Sequence, residues 1–82
     1  MTNTINEVNA ALGFTAEDLK KLATWKMPFG KYAGRPIIDL PEAYLFWFQK
    51  NEFPNGELGE LMGLCLALKI EGLDGLIKPL KP

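Results

Sequence analysis

Met27-Pro28-Phe29-Gly30-Lys31-Tyr32-Ala33-Gly34-Arg35-Pro36-Ile37-Ile38 is the stretch on which the fold class turns. Two prolines and two glycines within it exclude a long helix. Phe29 and Tyr32 flank Gly30-Lys31, and Gly34 precedes the β-branched pair Ile37-Ile38. This pattern predicts two short strands joined by a tight connection near Tyr32 to Gly34. A proline in each strand confines the pair to an edge-type ribbon. An isolated two-stranded hairpin is marginal in water, so the ribbon has to lean on helices.

Those helices are read on either side. Upstream, Thr4-Ile5-Asn6-Glu7 fits a capping box, and Ile5, Val8 and Leu12 follow at helical spacing until Gly13. Thr15 caps the next helix, with Glu17 and Asp18 in its first turn and Leu19, Leu22 and Ala23 as its buried stripe. Phe14 and Leu19 have the spacing of a hydrophobic staple. Downstream, Pro41 suits the first turn of a helix running to about Lys50. On a helical wheel Tyr44, Leu45, Trp47 and Phe48 share one side and Phe46 lies opposite. After Asn51, Pro54, Asn55 and Gly56, a longer helix is expected over about 56–71, capped by Asn55 and stopped by Gly72. Leucines and Met62 surround it almost completely, so it is expected to be the central element. Gly59, Gly63 and Ala67 recur every four residues, which suits close approach of a partner helix of the same chain. Leu73, Leu76, Ile77 and Leu80 are placed to dock the tail. The whole reads as a small helix-rich α+β single domain over 1–82, with one short ribbon (about 27–38) on three to four helices.

The inventory of reactive groups is narrow. The chain has 82 residues, no histidine and no serine, which excludes Ser-His-Asp and Cys-His catalysis. Cys65 is the single cysteine, set in an apolar run, and reads as a core residue of a protein from a reducing cytoplasm. One cysteine without histidine cannot supply a structural zinc site, and no metal or cofactor is expected. Asp39/Glu42 and Glu57/Glu60 are three apart, as metal nucleases can use, but each pair falls at a predicted helix start, where acids complement the dipole. No apolar run approaches the ~20 residues that cross a bilayer. The amino-terminal residues lack the basic-then-apolar pattern of a signal peptide.

Charge is segregated behind a net value of −1. Residues 19–38 carry Lys20, Lys21, Lys26, Lys31 and Arg35 and no acid, whereas residues 1–18 and 39–76 are net acidic. The near-zero total argues against indiscriminate binding to polyanions but not against a local anion site. Within ten residues stand Lys26, Phe29, Lys31, Tyr32 and Arg35, basic side chains interleaved with aromatics as on nucleic-acid-binding surfaces. Gly30 and Gly34 serve turn geometry in one reading. In the other their amides, with Lys31 and Arg35, surround a phosphate while Tyr32 offers a stacking face. The spacing is not that of a P-loop.

The same string, followed by Asp39-Leu40-Pro41, Tyr44-Leu45, Trp47-Phe48, Phe53-Pro54-Asn55-Gly56, Leu58-Gly59 and Gly72-Leu73, resembles a small bacterial family of unknown function. That family is labelled "putative quorum-sensing-regulated virulence factor", and the likeness covers about residues 25–80, leaving 1–24 as an amino-terminal helical segment. A shorter likeness, Phe-Gly-Lys-Tyr-x-Gly followed by Tyr-Leu-x-Trp within residues 27–48, resembles the accessory C-terminal domain of some exodeoxyribonucleases. The resemblance implies a helix-rich α+β domain of bacterial cytoplasmic proteins. It implies no catalytic residue, because the nuclease acids lie in the other domain. It carries over a contact surface at Phe29, Gly30, Lys31, Tyr32, Gly34 and Arg35, or alternatively a turn packed on Trp47. The expected function is thus a non-catalytic accessory module that contacts DNA or RNA weakly through Lys26 and these six residues. The alternative is a protein-interaction or homodimeric module, provisionally virulence-associated, using Phe46 and Phe53 as its surface.

Overall fold

The computed structural model describes residues 15–81. The expected helix over residues 4–13 and the staple through Phe14 lie outside them. Three α-helices, α1 (Ala16–Thr24), α2 (Glu42–Asn51) and α3 (Glu57–Ile70), are joined by irregular segments and 3-10 turns. The turns are Ile37–Asp39, Asp74–Leu76 and Lys78–Leu80.

Each helix begins and ends for a local reason. The Thr15 hydroxyl accepts from the Asp18 amide and the Asp18 carboxylate accepts from the Thr15 amide, which closes a capping box on α1. Pro41 stands at the N-cap of α2, one position earlier than expected. Gly56, not Asn55, caps α3, with φ of +83° and no side-chain bond. At the far end Gly72 (φ +72°) reverses the chain. The Leu73 amide donates to the Leu68 carbonyl and the Gly72 amide to the Lys69 carbonyl, the paired bonds of a Schellman motif.

The core is organised around α3, which buries Leu61, Met62, Leu64, Cys65, Leu66 and Leu68. Against it pack α1 through Leu19, Leu22 and Ala23, α2 through Leu45, and the tail through Ile77. The Cys65 thiol donates to the Ile37 carbonyl at 3.4 Å, tying the connection after α1 to the central helix. Burial pushes that thiol up to about 12.

The expected α+β class is corrected here: the described residues contain no strand, and the fold is all-α. Residues 27–38 form a compact loop instead of a ribbon. A single antiparallel bridge, Lys26 to Pro36, is all the pairing it makes. The bridge is flanked by the Ile37 amide on the Trp25 carbonyl (2.9 Å) and the Met27 amide on the Arg35 carbonyl (2.8 Å), so Pro36 is never asked for the N–H it lacks. Met27 also accepts from the Gly34 amide, so Gly34 and Arg35 together oppose one residue, as in a bulge with a left-handed first position. The pairing stops there. On the other side the Ile37–Asp39 3-10 turn ends it. Adjacent residues in a strand point to opposite faces, whereas in a 3-10 turn they lie about 120° apart. That difference lets Ile37 and Ile38 both be fully buried. Full burial of a Met or Ile is worth about 1.5–3 kcal/mol, so Met27, Ile37 and Ile38 together fasten an irregular loop without a sheet.

Candidate functional site

The basic segment divides. Lys20 and Lys21 lie on α1, and the Lys21 ammonium is ion-paired with Glu57 at the start of α3. That hydrogen bond raises the Lys21 pKa above its ordinary value. Lys26 borders a hollow of about 250 Å³ with Ala23, Thr24, Gly34, Pro36 and Lys81. Lys81 in turn is ion-paired with Asp39 at 2.9 Å. Glu57 and Asp39, two of the four acids that the sequence assigned to helix starts, thus also hold a distant part of the chain.

Lys31 and Arg35 converge. The Lys31 Nζ lies 5.6 Å and the Arg35 Cζ 5.7 Å from the centroid of the Tyr32 ring, within cation–π range. Among the described residues Lys20, Lys26, Lys31 and Arg35 make no ion pair. Two reversals make the convergence: the Ala33 amide donates to the Gly30 carbonyl and the Arg35 amide to the Tyr32 carbonyl. Gly30 is required twice. Its φ is +79°, and a Cβ there would stand 3.0 Å from the Tyr44 hydroxyl. Phe29 is exposed beside this turn.

Tyr32 is held from below by Tyr44, not by Trp47. The two tyrosine rings meet edge to face at 4.8 Å, Tyr44 meets Phe48 at 5.1 Å, and Phe48 meets Trp47 at 5.0 Å. Burial, and secondarily the Tyr32 phenol, raises the Tyr44 hydroxyl above its ordinary pKa. Trp47 sits at the open end of this row and is 58% exposed, more than Phe46 at 42%. The wheel placed it on the buried side because Tyr44, Leu45, Trp47 and Phe48 fit one arc. Leu45 marks the core direction, and Trp47 is 160° away from it at 100° per residue. Tyr44 as the support of Tyr32 was missed. Its only signal was a place one turn before Phe48.

Phe53 turns inward. It stacks on Phe48 at 6.4 Å and 12° and packs against the core, so it does not form one outer patch with Phe46. The glycine stripe of α3 faces the same segment: a Cβ on Gly59 would meet the Pro54 carbonyl oxygen at 1.8 Å, and one on Gly63 would lie 3.9 Å from the Phe53 ring. The partner of the stripe is therefore the α2–α3 connection, not the helix expected. Among the described residues no three Cys, Asp or Glu side chains gather as a metal site, and no helix is long and apolar enough to cross a membrane.

With this geometry in view, comparison with known proteins is decisive at one level. The model of the family described as "Putative quorum-sensing-regulated virulence factor" matches residues 15–80. The chain belongs to this family. The match begins at Thr15, so the family domain includes α1 and its three core residues, which the expected boundary near 25 would have divided from it. The chain is 59% identical over 66 residues to the "Uncharacterized protein YpeB" of Escherichia coli (strain K12), covering 79% of this chain and 92% of the relative. It is equally similar to the protein of that name from Escherichia coli O157:H7. No solved structure matches it.

Proposed function

We propose that this member of the family is a cytoplasmic, non-catalytic module that binds nucleic acid through Lys31, Tyr32 and Arg35. The observation that carries the reading is the pair of cations over one tyrosine ring, neither ion-paired among the described residues. Such a pair serves a phosphate better than separate lysines, because arginine presents a fork of donors and lysine a point charge. Lys26 adds positive charge from the neighbouring hollow. Contacts to two to four phosphates predict micromolar or weaker binding that falls roughly 10- to 200-fold between about 50 and 200 mM salt. Fluorescence anisotropy with labelled oligonucleotides tests it. Absence of binding at about 50 mM salt, or binding unchanged by Lys31→Ala with Arg35→Ala, overturns it.

A second reading, a homodimeric or protein-interaction module, is favoured by exposed Phe46 on α2. Sedimentation at micromolar concentration separates the two. A monomer that captures no protein partner removes the second reading.

A further inference from the structure

We infer that the nucleic acid taken by this surface is single-stranded and that Trp47 stacks on one of its bases. The inference rests on the nucleic-acid reading above and names the ligand class of the same site. The rings of Tyr32, Tyr44, Phe48 and Trp47 form one unbroken row, in steps of 4.8, 5.1 and 5.0 Å. Its two ends differ. At one end Tyr32 carries the Lys31 and Arg35 cations. At the other Trp47 is the most exposed large apolar side chain of the described residues. The two middle rings are half-buried and fix the spacing between the ends.

Exposed as it is, Trp47 is held. Its indole stands edge-on to Phe48 at 87°, while the Asn51 side-chain amide, donating to the Trp47 main-chain carbonyl at 2.9 Å, secures the last turn of the helix that carries it. The residues one turn away on α2 are Ala43, Tyr44, Lys50 and Asn51, a cation and no carboxylate among them. An exposed indole braced edge-on against Phe48, with a lysine one turn away and one row of rings from the Lys31–Arg35 pair, has the parts of a stacking platform. Base faces are covered in a duplex and open in a single strand. The exposed side of α2 carries Phe46 and Trp47 together with Glu42, Gln49, Lys50 and Asn51, so it is the open indole face, which a duplex leaves without a partner, that favours a single strand. A strand that sets a phosphate between Lys31 and Arg35 reaches Trp47 within about two or three bases, the number that small sheet platforms stack.

The test uses the full chain with Trp25→Phe, so that Trp47 is the only indole. Twelve-residue oligo(dT) and oligo(U), and a duplex of the same length, are titrated at about 50 mM salt. Indole quenching and the anisotropy of the labelled strand are followed together. The expected result is at least tenfold tighter binding of a single strand than of the duplex, with quenching of Trp47. Trp47→Ala should weaken single-strand binding roughly 5- to 100-fold and leave duplex binding unchanged, while Trp47→Phe retains most of it. The two single strands tell DNA from RNA. If duplex and single strand bind alike, or Trp47→Ala has no effect while Lys31→Ala with Arg35→Ala does, the inference falls and the nucleic-acid reading stands. If neither binds, both fall.

Discussion

Replacing Gly59 by alanine tests how α3 meets the rest of the molecule. The new methyl would stand 1.8 Å from the Pro54 carbonyl oxygen and 3.0 Å from its carbon. Carbon and carbonyl oxygen settle at about 3.3–3.6 Å even in attractive contacts, so the Pro54 peptide has to retreat by about 1.5 Å. It is not free to do so. Phe53, immediately before it, is stacked on Phe48 and packed against the core. Overpacking of this kind costs about 1–3 kcal/mol and occasionally more, and a rigid backbone obstacle puts Gly59 at the upper end. Alanine returns about 1 kcal/mol through its higher helix propensity. The net loss of about 2 kcal/mol corresponds to a melting temperature lower by about 8–16 °C for a domain of this size. Gly63→Ala is the internal control. Its methyl meets only the Phe53 ring, at an ordinary 3.9 Å. There the propensity gain of about 1 kcal/mol stands nearly alone, and melting should rise by about 4–8 °C. Circular dichroism at 222 nm follows both. Gly59→Ala melting within about 2 °C of the parent, or the two variants shifting alike, would refute this account of the α2–α3 packing.

Gly30→Ala should destabilise more than Gly34→Ala. Both positions have positive φ, but only at Gly30 would the methyl approach another group, the Tyr44 hydroxyl. In a Tyr44→Phe background the difference should shrink, and a denaturation double-mutant cycle showing no coupling would remove Tyr44 from this contact. Glu52 holds φ of +84° without being glycine. Such strain costs about 1–3 kcal/mol and a new glycine gives back about 0.4–1 kcal/mol through the unfolded chain, so Glu52→Gly should raise the melting temperature. A fall would show that the backbone there is not strained. The Cys65 thiol, raised by burial from 9.0 to about 12, stays protonated in the fold when the unfolded chain ionises. Its contribution is complete below pH 9 and is lost as pH rises toward 12. Urea midpoints should therefore fall more steeply above pH 9 in the parent than in Cys65→Ala, and parallel slopes would contradict this.

Local chemistry was readable from the residues alone. The Thr15 cap, the Gly72 stop, the burial of Leu19, Leu22 and Ala23, and the central place of the apolar α3 follow from spacing and capping within single elements. The family followed from short strings of residues spaced along the chain. The tail docks through Ile77 as expected, but the inferences that failed were ones that needed a particular neighbour from elsewhere in the chain. Ile37-Ile38 suggests a strand by composition, but the core takes both side chains at once, and the 3-10 turn delivers both where a strand would point them to opposite faces. Trp47 and Phe48 are equivalent on a wheel until Leu45 is known to point at the core. The glycines of α3 announce a close approach without saying that Pro54 makes it. The basic stretch shows five cations and not their division: Lys21 to Glu57, Lys26 to the hollow beside Lys81, and Lys31 with Arg35 to Tyr32. Sequence by itself determined the helices and the address of the basic segment, because hydrophobic period and capping act over a few residues. Tertiary structure alone decided which cations meet over one ring and which aromatic stays outside, because those depend on packing between residues far apart in the chain.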